Sequence, residues 1–98
     1  MLIRIVKMRF KPQHIADFAA HFEAYKSRIR ANAGCTFLQV LQQADAPEIW
    51  FTHSHWESEA ALNAYRDSDL FKAVWAQTKQ WFDAKPEAWS LEERYLLP

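Results

Sequence analysis

Glycine is almost missing from this chain. The single Gly34 in 98 residues excludes a scaffold of glycine turns and any glycine-rich loop that would cradle a phosphate. Cysteine is as scarce, and Cys35 alone closes no internal disulfide. Neither sign of charge is in excess: twelve Lys plus Arg stand against twelve Asp plus Glu, so the broad basic field that nucleic-acid binding rests on is absent. No apolar run approaches the roughly 20 residues needed to cross a bilayer. The opening Leu2-Ile3-Arg4-Ile5-Val6-Lys7 interleaves charges where a signal peptide needs an unbroken apolar core. Together these absences set the expectation of a reduced, cytoplasmic location, with neither nucleic acid nor membrane as partner. The length suits one domain, residues 1–98, and not two.

What the chain does have is aromatic bulk. Five Trp, seven Phe and three Tyr, in a sequence that is 50% hydrophobic, exclude intrinsic disorder. Periodicity distributes that bulk. Leu2, Arg4, Val6, Met8 and Phe10 alternate with Ile3, Ile5, Lys7 and Arg9, the period-2 pattern of a strand. Pro12 suits a first helical turn, and Ile15, Phe18, Phe22, Tyr25 and Ile29 then trace a stripe along a helix of about five turns that stops near Gly34. Cys35 to Gln42 reads as a strand with Cys35, Phe37 and Leu41 on one face and Leu38 and Val40 on the other. A loop of about four or five residues through Pro47 leads to a second strand, Ile49 to Trp56. Ser58 and Ser68 read as N-caps of two consecutive helices, the second running through Phe71, Val74, Trp75, Thr78 and Phe82 to the break at Lys85-Pro86. Ala88 to Leu97 alternates again as a closing strand.

The order β-α-β-β-α-β predicts an α+β, ferredoxin-like protomer, with a four-stranded antiparallel sheet and its helices on one face. A sheet covered on one side has a polar far side, yet here both registers carry large apolar groups, Val6 and Met8 against Ile3 and Ile5, Trp50 and Trp56 against Ile49 and Phe51. No further segment remains to cover the second face. The expectation is a homodimer, sheet against sheet, in which each fully buried side chain contributes about 1.5–3 kcal/mol before association costs.

Gly34-Cys35 opening a strand, the run Trp56-Glu57-Ser58-Glu59-Ala60-Ala61-Leu62 and the segment Ser68-Asp69-Leu70-Phe71-Lys72 resemble the antibiotic biosynthesis monooxygenase domain, a member of the dimeric α+β barrel superfamily. The resemblance extends over nearly the whole chain. It implies the ferredoxin-like protomer, the dimer, and a small-molecule pocket between sheet and helices. It also implies an activity drawn from a mixed set: oxygenation of polyaromatic substrates without metal or flavin, haem breakdown, action on quinols, or isomerisation. Three positions depart from the pattern. Trp75 stands where haem-degrading members place an iron-ligating histidine, Val6 stands where they place an asparagine, and Tyr65 stands where many members place a histidine. Haem degradation is disfavoured, and a phenol with an ordinary pKa near 10 is a poor base at neutral pH.

The resemblance aims the register of Trp50, Thr52, Ser54 and Trp56 at the pocket. Trp56 is either an aromatic wall for a planar substrate or core packing at a strand end, and Trp75 and Tyr65 facing it carry the same two readings. Arg4, in the register of Val6 and Met8, is a candidate cation for an enolate or carboxylate, or a strand-end arginine reaching solvent. His53 and His55, at i and i+2, leave one strand face as a metal edge or, the preferred reading, as polar contacts of the dimer. His14 and His21 read as a solvated rim of the first helix, Cys35 as packed and inert, and Arg66, Asp67 and Asp69 as solvated surface. The expected function is a cofactor-independent, metal-free monooxygenation of an aromatic or enolic molecule (a quinol, anthrone or polyketide) by oxygen. Trp56, Tyr65 and Arg4 carry the chemistry, while Trp50, Thr52, Ser54, Trp75, Val6 and Met8 bind the substrate. The alternatives are a non-catalytic dimeric ligand-binding module and an isomerase of a small carbonyl compound, the latter requiring His53 or His55 in the pocket.

Overall fold

The computed structural model describes all residues, Met1–Pro98. Strand β1 (Leu2–Arg9) is followed by a 3-10 turn at Pro12–His14 and by helix α1 (Ile15–Arg30). Strands β2 (Cys35–Gln43) and β3 (Ala46–Trp56) form a hairpin. Helices α2 (Glu59–Arg66) and α3 (Asp69–Thr78), a 3-10 turn at Lys79–Trp81 and strand β4 (Glu87–Glu92) complete the chain. The four strands make one antiparallel sheet in the order β2-β3-β1-β4, which is the ferredoxin-like arrangement expected from the sequence. No helix is long and apolar enough to cross a membrane.

Both short helices start where a serine caps them. The Ser58 hydroxyl accepts from Ala61 N–H and the Ser68 hydroxyl from Phe71 N–H, each at 3.1 Å, satisfying donors that a helix leaves free in its first turn. Helix α1 ends on side-chain and backbone caps, Asn32 Nδ2 donating to the Arg28 carbonyl at 3.1 Å and Ala31 N–H to Ser27 at 3.0 Å.

Five boundaries or faces differ from the sequence reading. The β2–β3 hairpin turns on Ala44-Asp45 alone, β2 running to Gln43 and β3 starting at Ala46; Pro47 lies inside β3, beside a register shift at Gln42–Gln43. Helix α3 stops at Thr78, since the chain tightens into a 3-10 turn and Phe82 is extended, bridging to Phe10. Strand β4 is Glu87–Glu92 and not Ala88–Leu97. Its ladder with β1 ends at the pair Leu2 and Glu92. Cys35 does not share a face with Phe37. A bulge between the two turns Cys35 inward, where it packs with Trp56 and Leu62. His21 is no solvated rim either: its Nε2 lies 3.1 Å from the Val74 carbonyl, tying α1 to α3.

The interior is two small cores rather than one. Met8, Phe10 and Phe18 form the first, with Phe10 stacked on Phe18 at 4.2 Å between centroids, and Cys35, Trp56 and Leu62 form the second. Gly34 holds the second core shut. Its φ of +86° is the left-handed conformation that a Cβ disfavours, and a Cβ there would lie 2.5 Å from the Cβ of Ala61 on α2. Gly34→Ala should therefore lose about 2 kcal/mol or more in denaturant unfolding, combining roughly 1–2 kcal/mol of backbone strain with the clash. Adding Ala61→Gly should recover the clash and leave the strain; an unchanged unfolding midpoint in Gly34→Ala would refute this role.

Candidate functional site

The antiparallel registers place even-numbered residues of β1 and β3 opposite one another, Arg4 against Ser54, Val6 against Thr52 and Met8 against Trp50, and on the other side of β1 Arg4 opposes Ser90 and Val6 opposes Ala88. Since successive side chains alternate faces, these groups share the helix-covered side of the sheet. Between that side and the three helices lies a cavity of about 300 Å³, at the lower end of the volumes that hold small organic ligands.

Eight of the nine residues singled out from the sequence line this cavity: Arg4, Val6, Met8, Thr52, Ser54, Trp56, Tyr65 and Trp75. Trp50 does not. It has the right register, but its position near the start of β3 puts it edge-on against Phe18, centroids 5.4 Å apart, with Nε1 donating to the Pro47 carbonyl at 2.9 Å. Phe18, Phe22, Phe71 and Arg66 enter the lining in addition. His53 and His55 leave the opposite face of β3, where His55 stacks on Phe37 and the two Nε2 atoms lie 3.0 Å apart. The isomerase reading required one of them in the pocket, and neither reaches it.

One wall is a run of rings. Trp56 stacks on Tyr65 (5.0 Å, 23°), Tyr65 meets Phe71 edge-on (5.2 Å), and Phe71 stacks on Trp75 (5.8 Å, 11°). Trp56 is 1% exposed, and its indole N–H donates to Ser54 Oγ at 2.9 Å, so its polar atom is satisfied and its orientation fixed. Tyr65 keeps its hydroxyl free of protein partners. Burial, with a smaller contribution from Cys35, pushes its phenol up to about 12. At neutral pH Tyr65 is therefore a hydrogen-bond donor and not a base.

The cavity lining contains no histidine and no carboxylate; its only charges are Arg4 and Arg66. Arg4 donates to Ser90 Oγ at 2.9 Å, and neither guanidinium forms an ion pair. Burial, and then the charge of Arg66, lowers the Arg4 pKa from its ordinary value. Arg66 is exposed, as the sequence suggests, and it also contributes to the cavity lining. Its spacing of four from the inward-facing Leu62 puts it at the cavity rim. Cys35 is buried, its thiol pushed up by that burial against the opposing pull of its Phe37 contact and Arg30, and it does not enter the lining.

The family model for antibiotic biosynthesis monooxygenases matches residues 1–77. Among solved structures, a conserved protein from Methanosarcina mazei Go1 superposes with a TM-score of 0.89 at 24% identity, over 96% of this chain and 94% of that one. An antibiotic biosynthesis monooxygenase gives 0.91 at 15% identity, over 97% and 100%. A protein of Mycobacterium tuberculosis gives 0.89 at 18% identity, over 99% and 98%. At these identities the likeness is one of fold. No curated protein matches the chain in sequence.

The raised phenol has a consequence for stability. A group whose pKa is higher in the folded state stabilises the fold fully below its unfolded value, near 10, and loses that contribution as pH rises through about 12. Unfolding free energy should fall on the order of 2 kcal/mol across this window, and Tyr65→Phe should abolish that part of the fall. Spectrophotometric titration checks the assignment: a tyrosinate step near pH 12 should vanish in Tyr65→Phe.

Proposed function

Because the chain belongs to the antibiotic biosynthesis monooxygenase family, we propose that it oxygenates a planar aromatic or enolic molecule of the quinol, anthrone or polyketide type, using neither metal nor organic cofactor. The observation that carries this reading is the aromatic-walled cavity itself, about 300 Å³ lined by Trp56, Tyr65 and Trp75. The stacked rings hold a flat substrate and keep water out. Tyr65 and Thr52 donate hydrogen bonds to its oxygens, and Arg4 stabilises the oxyanion that forms when the substrate ionises. No side chain in the lining serves as a base at neutral pH, so the acidity must reside in the substrate, increased by the nearby cation.

The electron-rich anion supplies the reducing electrons to oxygen. For an anthrone, one oxygen atom ends on the ring carbon as a carbonyl and the other leaves as water with the two hydrogens of that carbon. The purified protein should consume oxygen with an anthrone or a naphthohydroquinone, without added metal or flavin. Trp56→Phe, which preserves an apolar interior while shrinking the wall, should lower kcat/KM by about tenfold, the upper range of one aromatic contact. A panel of such substrates with no rate above buffer would sink the oxygenase reading. If calorimetry in the same panel shows binding without turnover, the second reading holds: a non-catalytic ligand-binding module, favoured by the missing base.

The proposed active form is a homodimer packed through the far face of the sheet. That face carries Ile3, Ile5 and Phe51 in one register, with Trp89 43% and Leu91 48% exposed on β4. Light scattering should give twice the chain mass, and Ile5→Asp should shift the protein toward monomer, because it places a charge in the middle of that face.

A further inference from the structure

In a chain with equal numbers of acidic and basic residues, the cavity between sheet and helices is charged with a single sign. Arg4 comes from the centre of the sheet on β1 and Arg66 from the last turn of α2, so two separate elements direct guanidinium groups at the same space. Asp67 and Asp69 follow Arg66 directly in the chain, yet neither arginine forms an ion pair, and the only side-chain bond of the two is that from Arg4 to the neutral Ser90 hydroxyl. Arg4 is half-buried and Arg66 solvent-exposed, and the charge of Arg66 acts against that of Arg4 in the empty protein. That opposition is relieved when an anion enters between them, where each planar guanidinium offers a fork of donors matched to a carboxylate.

We propose that the ligand of this cavity is an aromatic acid, a planar ring system bearing a carboxylate that Arg4 and Arg66 hold jointly at one end while the ring lies against Tyr65, Phe71 and Trp75. This inference rests on the cavity being the ligand site and names the class of ligand. It also assigns Arg66, which the oxygenase reading leaves unused, as a specificity-determining residue. Arginine stays charged across the working range of pH, so the preference belongs to the ionised ligand and is constant wherever the ligand is ionised.

Calorimetric titration with 2-naphthoate and with its neutral isostere 2-naphthamide tests this directly. The acid should bind at least about tenfold more tightly than the amide at neutral pH, the margin of a charge-assisted over a neutral hydrogen-bonded contact. Arg66→Gln, at an exposed helix position where folding is not at risk, should reduce naphthoate affinity about tenfold and leave naphthamide unchanged, while Arg66→Lys should restore part of the loss. Arg4→Gln should act in the same direction. Equal affinity for the two ligands, or a preference for the acid that survives both Arg→Gln variants, would overturn the proposal. If only the amide binds, the aromatic-acid inference fails and the cavity remains the ligand site. If neither binds, both fail. Tight naphthoate binding without oxygen uptake supports the acid site and counts against the oxygenase reading alone.

Discussion

Everything in this protein hangs on the pairing of β1 with β3. The two strands run antiparallel from Leu2 opposite Trp56 to Arg9 opposite Ile49, and in that register even numbers face even numbers. One consequence is packing: Met8 and Trp56 are directed to the helices, where each is nearly fully buried, and the odd residues Ile3, Ile5 and Phe51 are left on the far side. The second is chemical. The same parity delivers Arg4, Thr52 and Ser54 to the cavity and sends His53 and His55 away from it. Register is specified strongly because a slip of one residue would exchange the contents of the two faces.

The helices complete what the sheet begins, with the buried aliphatic groups Ile29, Leu62 and Val74 and with a run of rings. Large flat side chains span the gap between layers while leaving space between them, so the interior divides into two small cores with the cavity lined by members of both. The hydrogen bond from Trp56 to Ser54 and that from Thr78 to the Val74 carbonyl at 2.7 Å satisfy buried polar atoms at the cavity's edge without drawing on a charged group. Polar satisfaction is complete in the protein, with no buried side-chain nitrogen or oxygen unpartnered. The unpaired positive charge and the free Tyr65 hydroxyl are what the cavity leaves open to a ligand.

Most of this was legible in the sequence because period 2 and period 3.6 are visible wherever one face is buried. The order of strands and helices follows from that, the two caps are marked by Ser58 and Ser68, and the facing of the β3 register needed the family resemblance because both of its faces are apolar. What was hidden depended on interruptions of period. The bulge after Cys35 reverses a face without any compositional mark, and Pro47 reads as a breaker although it stands within β3 beside a register shift. The end of α3 was obscured because Phe82 continues the helical spacing while its backbone is already extended. Trp50 shows a different limit. Parity gives the side of the sheet, and only the position of α1 above it decides whether a ring meets space or Phe18. Arg66 is solvent-exposed as its charged neighbours suggest, and what the sequence does not show is that it also borders the cavity.

The bulge in β2 bears on how such a site changes over evolutionary time. It shows that this sheet absorbs one extra residue locally, turning Cys35 inward while Phe37 and Leu38 keep their sides. In an element so built, insertion or deletion is a more potent route to new chemistry than substitution. One residue gained near the end of a strand brings a different set of side chains to the interior in a single step, with the hydrogen-bonded ladder preserved beyond it. The imidazoles of β3 lie one such step from the cavity, so the lack of an internal base here is a matter of phase and not of the residues the chain possesses.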